Sequence, residues 1–248
     1  MLRPGGMLCI NVGDATRSLG DGFDLYPNHA RISSACAALG LQMLPDILWR
    51  KQTNVPNKFV GSGTLPPGVY LALEHEWILI FRKSPPRVFG SDEARRKRRQ
   101  SAFFWEERNI WFSDVWDFKG ARQVLGSRHG GAKGRRDRSA AFPFEVAYRL
   151  ISMFSVKDDL VLDPFAGRGT TLLAAMCASR NSTGVELEQS LIPFVQAGVS
   201  GIVAEANRRI LERLEREILL VTLSSLETLD DLQWRIRYSE QSGPTLHL

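Results

Sequence analysis

The sequence predicts an α/β domain with a mostly parallel sheet and an inserted basic region, on three observations. The first is an apolar run, Leu160-Val161-Leu162, that ends in Asp163 and passes through Pro164, Gly167 and Gly169 into the helix-prone residues 172–176. That order is a strand, a tight glycine turn and a helix start. The second is another short strand pattern, Ser182-Thr183-Gly184-Val185, which also ends in an acid, Glu186, 17 residues after Gly169. The third is charge: residues 82–138 hold 16 Lys and Arg against 7 Asp and Glu, a net of +9, whereas the whole chain is only +5, leaving −4 for the rest.

With 248 residues, 44% hydrophobic and 24% charged, the chain can bury one good core, or a core with an inserted module. Cys9, Cys36 and Cys177 sit among apolar neighbours without a pairing pattern. They read as reduced core residues of a soluble, cytoplasmic protein. No run approaches the ~18 apolar residues of a membrane span. Four scattered histidines and no Cys-x-x-Cys leave no metal site.

Near its start the chain makes a turn at Leu2-Arg3-Pro4-Gly5-Gly6, and Met7 to Val12 follows as a mostly apolar strand ending at Gly13-Asp14. Residues 27–39 place Ala30, Ile32, Ala35, Cys36 and Leu39 on one helical face, with Gly40 as the C-terminal cap. Ile47 to Lys51 and Trp77 to Arg82 read as two further strands. Residues 53–70 between them, rich in glycine, proline and polar residues, form a loop long enough to do more than connect.

Within the basic stretch lie the run Arg95, Arg96, Lys97, Arg98, Arg99 and a later run containing Lys133, Arg135 and Arg136. Clustered cations of this kind suit phosphate contacts, which supply affinity without sequence information. A solvated face is the bland alternative. Phe103, Phe104, Trp105, Trp111, Phe112, Trp116 and Phe118 interleave with these charges; at such density they dock the segment onto the domain rather than stack on bases. Further on, Ile202, Val203, Ala206, Ile210, Leu214 and Ile218 recur at helical spacing, as in a helix covering the sheet or, less simply, a dimerising one. Trp234, Ile236 and Tyr238 alternate with polar residues as a last strand does.

The glycine turn narrows the chemistry. Its free amide groups can approach a ligand closely, while Asp163 and Glu186 can only accept hydrogen bonds. A ribose diol and a cationic tail fit two such acids. A dinucleotide site needs a third glycine, and Leu172 occupies that position.

Asp163-Pro164-Phe165-x-Gly167-x-Gly169-Thr170-Thr171 after an apolar strand resembles the S-adenosylmethionine site of DNA methyltransferases that modify exocyclic amino groups. Ala140-Ala141-Phe142-Pro143-Phe144-Glu145, with Arg149-Leu150-Ile151 and Ser155, is similar to the segment preceding the cofactor strand in that family, and Ser113 to Asp117 and His75-Glu76-Trp77-Ile78 resemble other parts of it. The order is that of the permuted branch, catalytic half first. The resemblance implies a Rossmann-like sheet divided into a catalytic half (1–83), a basic target-recognition region and linker (84–138) and an S-adenosylmethionine-binding half (139–248). It implies methylation of N4 of cytosine or N6 of adenine in double-stranded DNA, in a restriction-modification setting. Asp163 is expected to face the methionine end, with Phe165, Gly167 and Gly169 as the floor. Thr170 and Thr171 are expected to cap the helix, Glu186 to hold the ribose, and Phe142 and Pro143 to border the cofactor. Methyltransferases attacking carbon 5 of cytosine resemble one another in a Pro-Cys nucleophile, which no cysteine here provides.

The family's catalytic tetrapeptide, an Asp, Asn or Ser followed by Pro-Pro and an aromatic residue, is absent from residues 1–248. Leu65-Pro66-Pro67-Gly68 and Ser84-Pro85-Pro86-Arg87 are the only Pro-Pro sites, and neither precedes an aromatic ring. The catalytic residues are therefore unknown. The expectation is an N-terminally truncated chain whose Met7 to Val12 and Leu160 to Asp163 strands each lack a neighbour, with a second chain or an upstream segment supplying the motif. A catalytically inactive remnant that binds DNA, cofactor or both is the alternative.

Overall fold

The structure, a computed structural model, describes residues 2–19, 22–52, 66–68, 71, 73–119 and 142–225. The chain divides into two units, Met1–Val88 with Phe112–Gly120, and Phe89–Trp111 with Ala121–Leu248. The basic stretch is shared between them: its residues 89–111 belong to the second unit and 112–120 to the first.

The first unit comprises β1 (Met7–Val12), β2 (Ala15–Leu19), β3 (Gly22–Tyr26), α1 (Asn28–Ala38), β4 (Gln42–Met43), β5 (Ile47–Gln52), β6 (His75–Arg82) and β7 (Val115–Lys119). Its main sheet runs β1-β6-β5-β7. β6 is antiparallel to both β1 and β5, and β7 is parallel to β5. So β1, β5 and β7 share one direction, but every ladder of β6 is antiparallel, and this sheet is mixed rather than mostly parallel as the sequence predicts, because β6 runs against both of its long neighbours. Ile78, Leu79, Ile80 and Phe81 explain why β6 lies in the middle: all four are buried, the continuous apolar run of a strand covered on both faces. Leu79 and Phe81 pack with Cys36 and Ile32 of α1 and with Leu8, Ile10 and Val12.

Among the described residues β1 pairs with β6 alone. Trp49 and Trp116, in register on β5 and β7, are 1% and 2% exposed, so Trp116 docks its segment as anticipated. Gly40, at φ +78°, closes α1, but Ala30, Ala35 and Leu39 of the expected apolar face are exposed; Ile32 and Cys36 carry the packing. The hairpin of β2 and β3 has no counterpart in the sequence reading, because its strands, ATRSL and GFDLY, carry no sustained alternation.

The second unit comprises α2 (Asp92–Arg99), α3 (Trp105–Trp111), α4 (Phe144–Phe154), β8 (Leu160–Asp163), α5 (Thr170–Cys177), β9 (Asn181–Gly184) and α6 (Ile192–Ser225). β8 and β9 are parallel, in register from Leu160 with Asn181 to Asp163 with Gly184. The core joins Trp111 of α3, Ala147, Tyr148 and Ile151 of α4, Ala174, Ala175 and Cys177 of α5, and Ile202 of α6. The apolar stripe expected on α6 splits. Ile202 and Ala206 pack inward, whereas Val203, Ile210 and Ile218 are exposed, because the helix lies on other helices across a narrower contact than a sheet would give. The strand expected around Trp234 to Tyr238, the loop 53–70 except residues 66–68, and Lys133, Arg135 and Arg136 lie outside the described residues.

α3 and α6 are joined by charge. Arg213 grips Glu107 in a two-point pair at 2.5 and 2.7 Å, and Glu107 also accepts the Phe104 amide at 3.1 Å, capping α3 from within its first turn. Beside them Glu217, 8% exposed, is pushed up to about 8 by burial and by a hydrogen bond with Glu106. Its folded-state value exceeds the ordinary carboxylate value, so the folded chain holds a proton that the unfolded chain has already lost. Stability should therefore fall as pH rises from about 4.5 towards 8. With water screening the pair, about 1 kcal/mol is expected, or ~2–4 °C in Tm. Melting curves at pH 6 and pH 9 should show that drop, and Glu217→Gln should flatten it; an unchanged slope in the variant would remove Glu217 as its source.

Candidate cofactor site

β8 delivers Asp163 to the end of the strand, and its carboxylate accepts the Phe165 amide at 3.0 Å, which starts the turn. Pro164 lies inside this bend. Gly167 and Gly169 then take φ +54° and +83°, left-handed conformations that cost a residue with a β-carbon free energy. At Gly169 a β-carbon would also sit 3.0 Å from Val195. The N-cap of α5 is Gly169 itself, with no side-chain cap bond. Thr170 and Thr171 are thus the first helical residues rather than caps, because the left-handed cap position admits glycine and not threonine. This corrects the capping role expected of them.

Glu186 is tied directly to that turn. One carboxylate oxygen accepts the Gly167 amide at 2.7 Å and the other accepts the Glu188 amide at 2.8 Å. These backbone donors, Glu188 first, hold its carboxyl below the usual carboxylate range, so it is an anion at neutral pH. The strand pattern extended to Glu186, but β9 ends at Gly184, two residues earlier. Val185 continues the link: its amide donates to the Asp163 carbonyl and its own carbonyl accepts from Ala166, both at 2.9 Å. The two acids therefore flank one glycine turn with its backbone fixed by hydrogen bonds.

Two residues matter here that the sequence reading did not single out. Gly184 is required, because a β-carbon there would lie 2.8 Å from both Ala166 and Leu172. Leu172, which replaces the third glycine of a dinucleotide signature, thus fills the gap between helix and strand. Leu187, 96% exposed, and Phe165, 87% exposed, offer apolar surface on the two sides of the turn. Only an exposed side chain next to a fixed acid reveals Leu187, since a single leucine carries no sequence signal.

Phe142 and Pro143 precede α4. Pro143 is its N-cap, and Phe142 is partly buried against the core around Trp111 and Tyr148, so one side of its ring is committed to packing. The basic run forms α2, capped by Ser91, whose hydroxyl accepts the Ala94 amide at 3.1 Å, with Asp92 and Glu93 in the first turn and the cations in the last, as the helix dipole favours. Its five cations are not equivalent. Arg95 is spent on Asp92 and on the Phe89 and Gly90 carbonyls, Lys97 on Glu93 and Asp158, and Arg98 lies over the Phe89 ring. Arg96 and Arg99, one helical turn apart, have no such partner among the described residues.

The chain is similar to known proteins over most of its length. The chain is 51% identical over 216 residues to the type II methyltransferase M.MthZI of Methanothermobacter thermautotrophicus, covering 87% of this chain and 59% of that protein. It is 46% identical over 196 residues to M.MjaI of Methanocaldococcus jannaschii, covering 79% and 62%. The chain thus spans about three fifths of the length of these curated relatives. Among solved structures, a DNA modification methylase from Thermus thermophilus, complexed with S-adenosyl-L-methionine, superposes with a TM-score of 0.62 at 32% identity, covering 80% of this chain and 70% of that one. The family model for DNA methylase matches residues 1–197, and the chain belongs to that DNA methylase family.

Proposed function

We propose that the protein transfers a methyl group from S-adenosylmethionine to the exocyclic amino nitrogen of cytosine (N4) or adenine (N6) in double-stranded DNA, as the modifying partner of a restriction system. The observation that carries this reading is the Glu186 carboxylate fixed to the Gly167 amide beside Asp163. The residues fit the cofactor: Glu186 is a preformed anion for a ribose diol, Gly167 and Gly169 leave the floor of the turn bare, and Phe165 and Leu187 offer exposed apolar faces to an adenine. Asp163, with Thr170 and Thr171 beside it, faces the cationic methionine end. Phe142 and Pro143 border the site. When bound, the cofactor supplies an electrophilic methyl group.

The rest of the reading concerns DNA. A paired and stacked amino group is out of reach, so the base must leave the duplex. Residues 1–83 serve as the catalytic half, 84–138 as the target-recognition region and linker, and 139–248 as the cofactor half. The Pro-Pro-aromatic tetrapeptide is supplied from outside residues 1–248, by upstream sequence or by a second chain. Reduced cysteines suit a cytoplasmic enzyme. The test is transfer of a radiolabelled methyl group to mixed-sequence DNA by a protein that includes the tetrapeptide, with the product identified after nuclease digestion. Label on carbon 5 of cytosine, or none on DNA, sinks the proposal.

Phosphate contacts are expected from Arg96 and Arg99, the two cations of α2 without a partner among the described residues. Replacing both with Gln should weaken binding to all DNA sequences alike and reduce the salt slope by about 2, one counterion for each lost contact. Replacing Arg95 and Lys97 should change the slope less, because those cations already have partners. A slope unaltered by the Arg96 and Arg99 pair would return α2 to an ordinary solvated face.

A further inference from the structure

At the carboxyl end of β1, in the first unit, a group of rings and an acid is left over from everything described above. His29 stacks on Trp77 with ring centroids 4.5 Å apart and an interplanar angle of 21°, and His75 meets the same indole edge-on at 5.4 Å. The imidazole is held at its other end. Its Nδ1 lies 2.6 Å from one oxygen of Asp14, whose second oxygen accepts the His29 amide at 3.1 Å. Asn28 ties the same corner by donating to the Gly13 carbonyl at 3.0 Å. Asp14 is 6% exposed and His29 29% exposed.

These contacts have a physical consequence. Here the ring plane is fixed by Asp14 and backed by Trp77, while 29% of the side chain stays exposed to solvent. Planar nitrogen rings bind rings of that kind: nucleobases stack on histidine and other aromatic side chains, with little regard to sequence, provided the base is out of its duplex. The carboxyl ends of strands are also where α/β sheets receive ligands.

We propose that the face of His29 away from Trp77 is a stacking platform for an extrahelical nucleobase, with the Trp77 indole as its backing. The inference rests on the DNA-methylating reading, which requires such a base. Duplexes with one unpaired extra base provide the probe, compared with the fully paired duplex of the same sequence by fluorescence polarisation on the whole 248-residue chain. The wild-type chain should prefer the extra-base duplex by roughly tenfold, the scale of one base-aromatic stack. His29→Ala should remove that preference and leave binding to the paired duplex unchanged. His29→Phe, which keeps the ring but cannot bond to Asp14, should retain most of it.

Loss of the preference in both variants would assign His29 a purely structural clasp with Asp14 and overturn the platform, as would an undiminished preference in His29→Ala. Binding to DNA without any preference by the wild-type chain overturns the platform and leaves the functional reading standing. No binding to DNA overturns both. Melting curves of the two variants identify a fold defect, and a folded His29→Phe decides the matter if His29→Ala does not fold.

Discussion

Residues 1–248 alone should transfer no methyl group to DNA, and the same chain supplied with the Pro-Pro-aromatic tetrapeptide, in cis or from a second chain, should transfer it readily. The chemistry requires a group to accept charge from the target nitrogen and a ring to hold the base, and neither Pro-Pro site of this chain precedes an aromatic residue. The supplied strand would pair with edges that are open among the described residues. β1 pairs with β6 alone and β8 with β9 alone among the described residues, and Leu160 and Leu162 of β8 are 66% and 40% exposed although they belong to an apolar strand. An unpaired backbone group costs ~1–3 kcal/mol when buried, against a total stability of ~5–15 kcal/mol. Supplying the strand should therefore raise Tm as well as activity. Radiolabel incorporation and a melting curve on the chain, with and without the added segment, measure both. Robust methyl transfer by residues 1–248 alone would sink the idea.

Glu186→Ala should weaken S-adenosylmethionine binding roughly ten- to hundredfold, as expected for losing hydrogen bonds to a charged acceptor, while leaving the fold intact. Two effects add in the same direction. The ribose loses an anionic acceptor, and the Gly167 and Glu188 amides lose the carboxylate that orients them, so the turn itself loosens. Glu186→Gln should fall between, since it keeps an acceptor oxygen but not the charge. Titration calorimetry on each variant decides it. Unchanged affinity in a folded Glu186→Ala protein would remove this residue from the site and leave Asp163 as the candidate that organises it.

How much of this was legible in the residues can be judged element by element. The Leu160 to Asp163 strand, the two glycines and the helix after them were readable because each step has a local cause: an apolar run, a required positive φ and a run of helix formers. The basic concentration could be counted directly, and the docking role of Trp111 and Trp116 followed from large apolar rings that a charged segment must bury somewhere. Thr170 and Thr171 were misread because capping residues and first-turn residues look alike in sequence, and only the backbone angle of Gly169 separates them.

Other features depend on groups distant in sequence and were settled by packing. The five cations of α2 look equivalent as letters, yet Lys97 meets Asp158, 61 residues away, whereas Arg96 and Arg99 meet no such partner among the described residues. The outward turn of Val203, Ile210 and Ile218 follows from α6 packing on helices, which periodicity alone does not report. Glu217 is raised first by its burial and then by Glu106, which α3 brings against it. The sequence by itself determined the glycine turn, whose geometry is written in local backbone preference, and the acid that follows each strand, whereas the bond that ties Glu186 to Gly167 is a tertiary contact. Tertiary structure alone decided which charges are spent, which apolar faces stay open and that Asp14, His29 and Trp77 meet, because each of those depends on contacts between segments that sequence spacing does not encode.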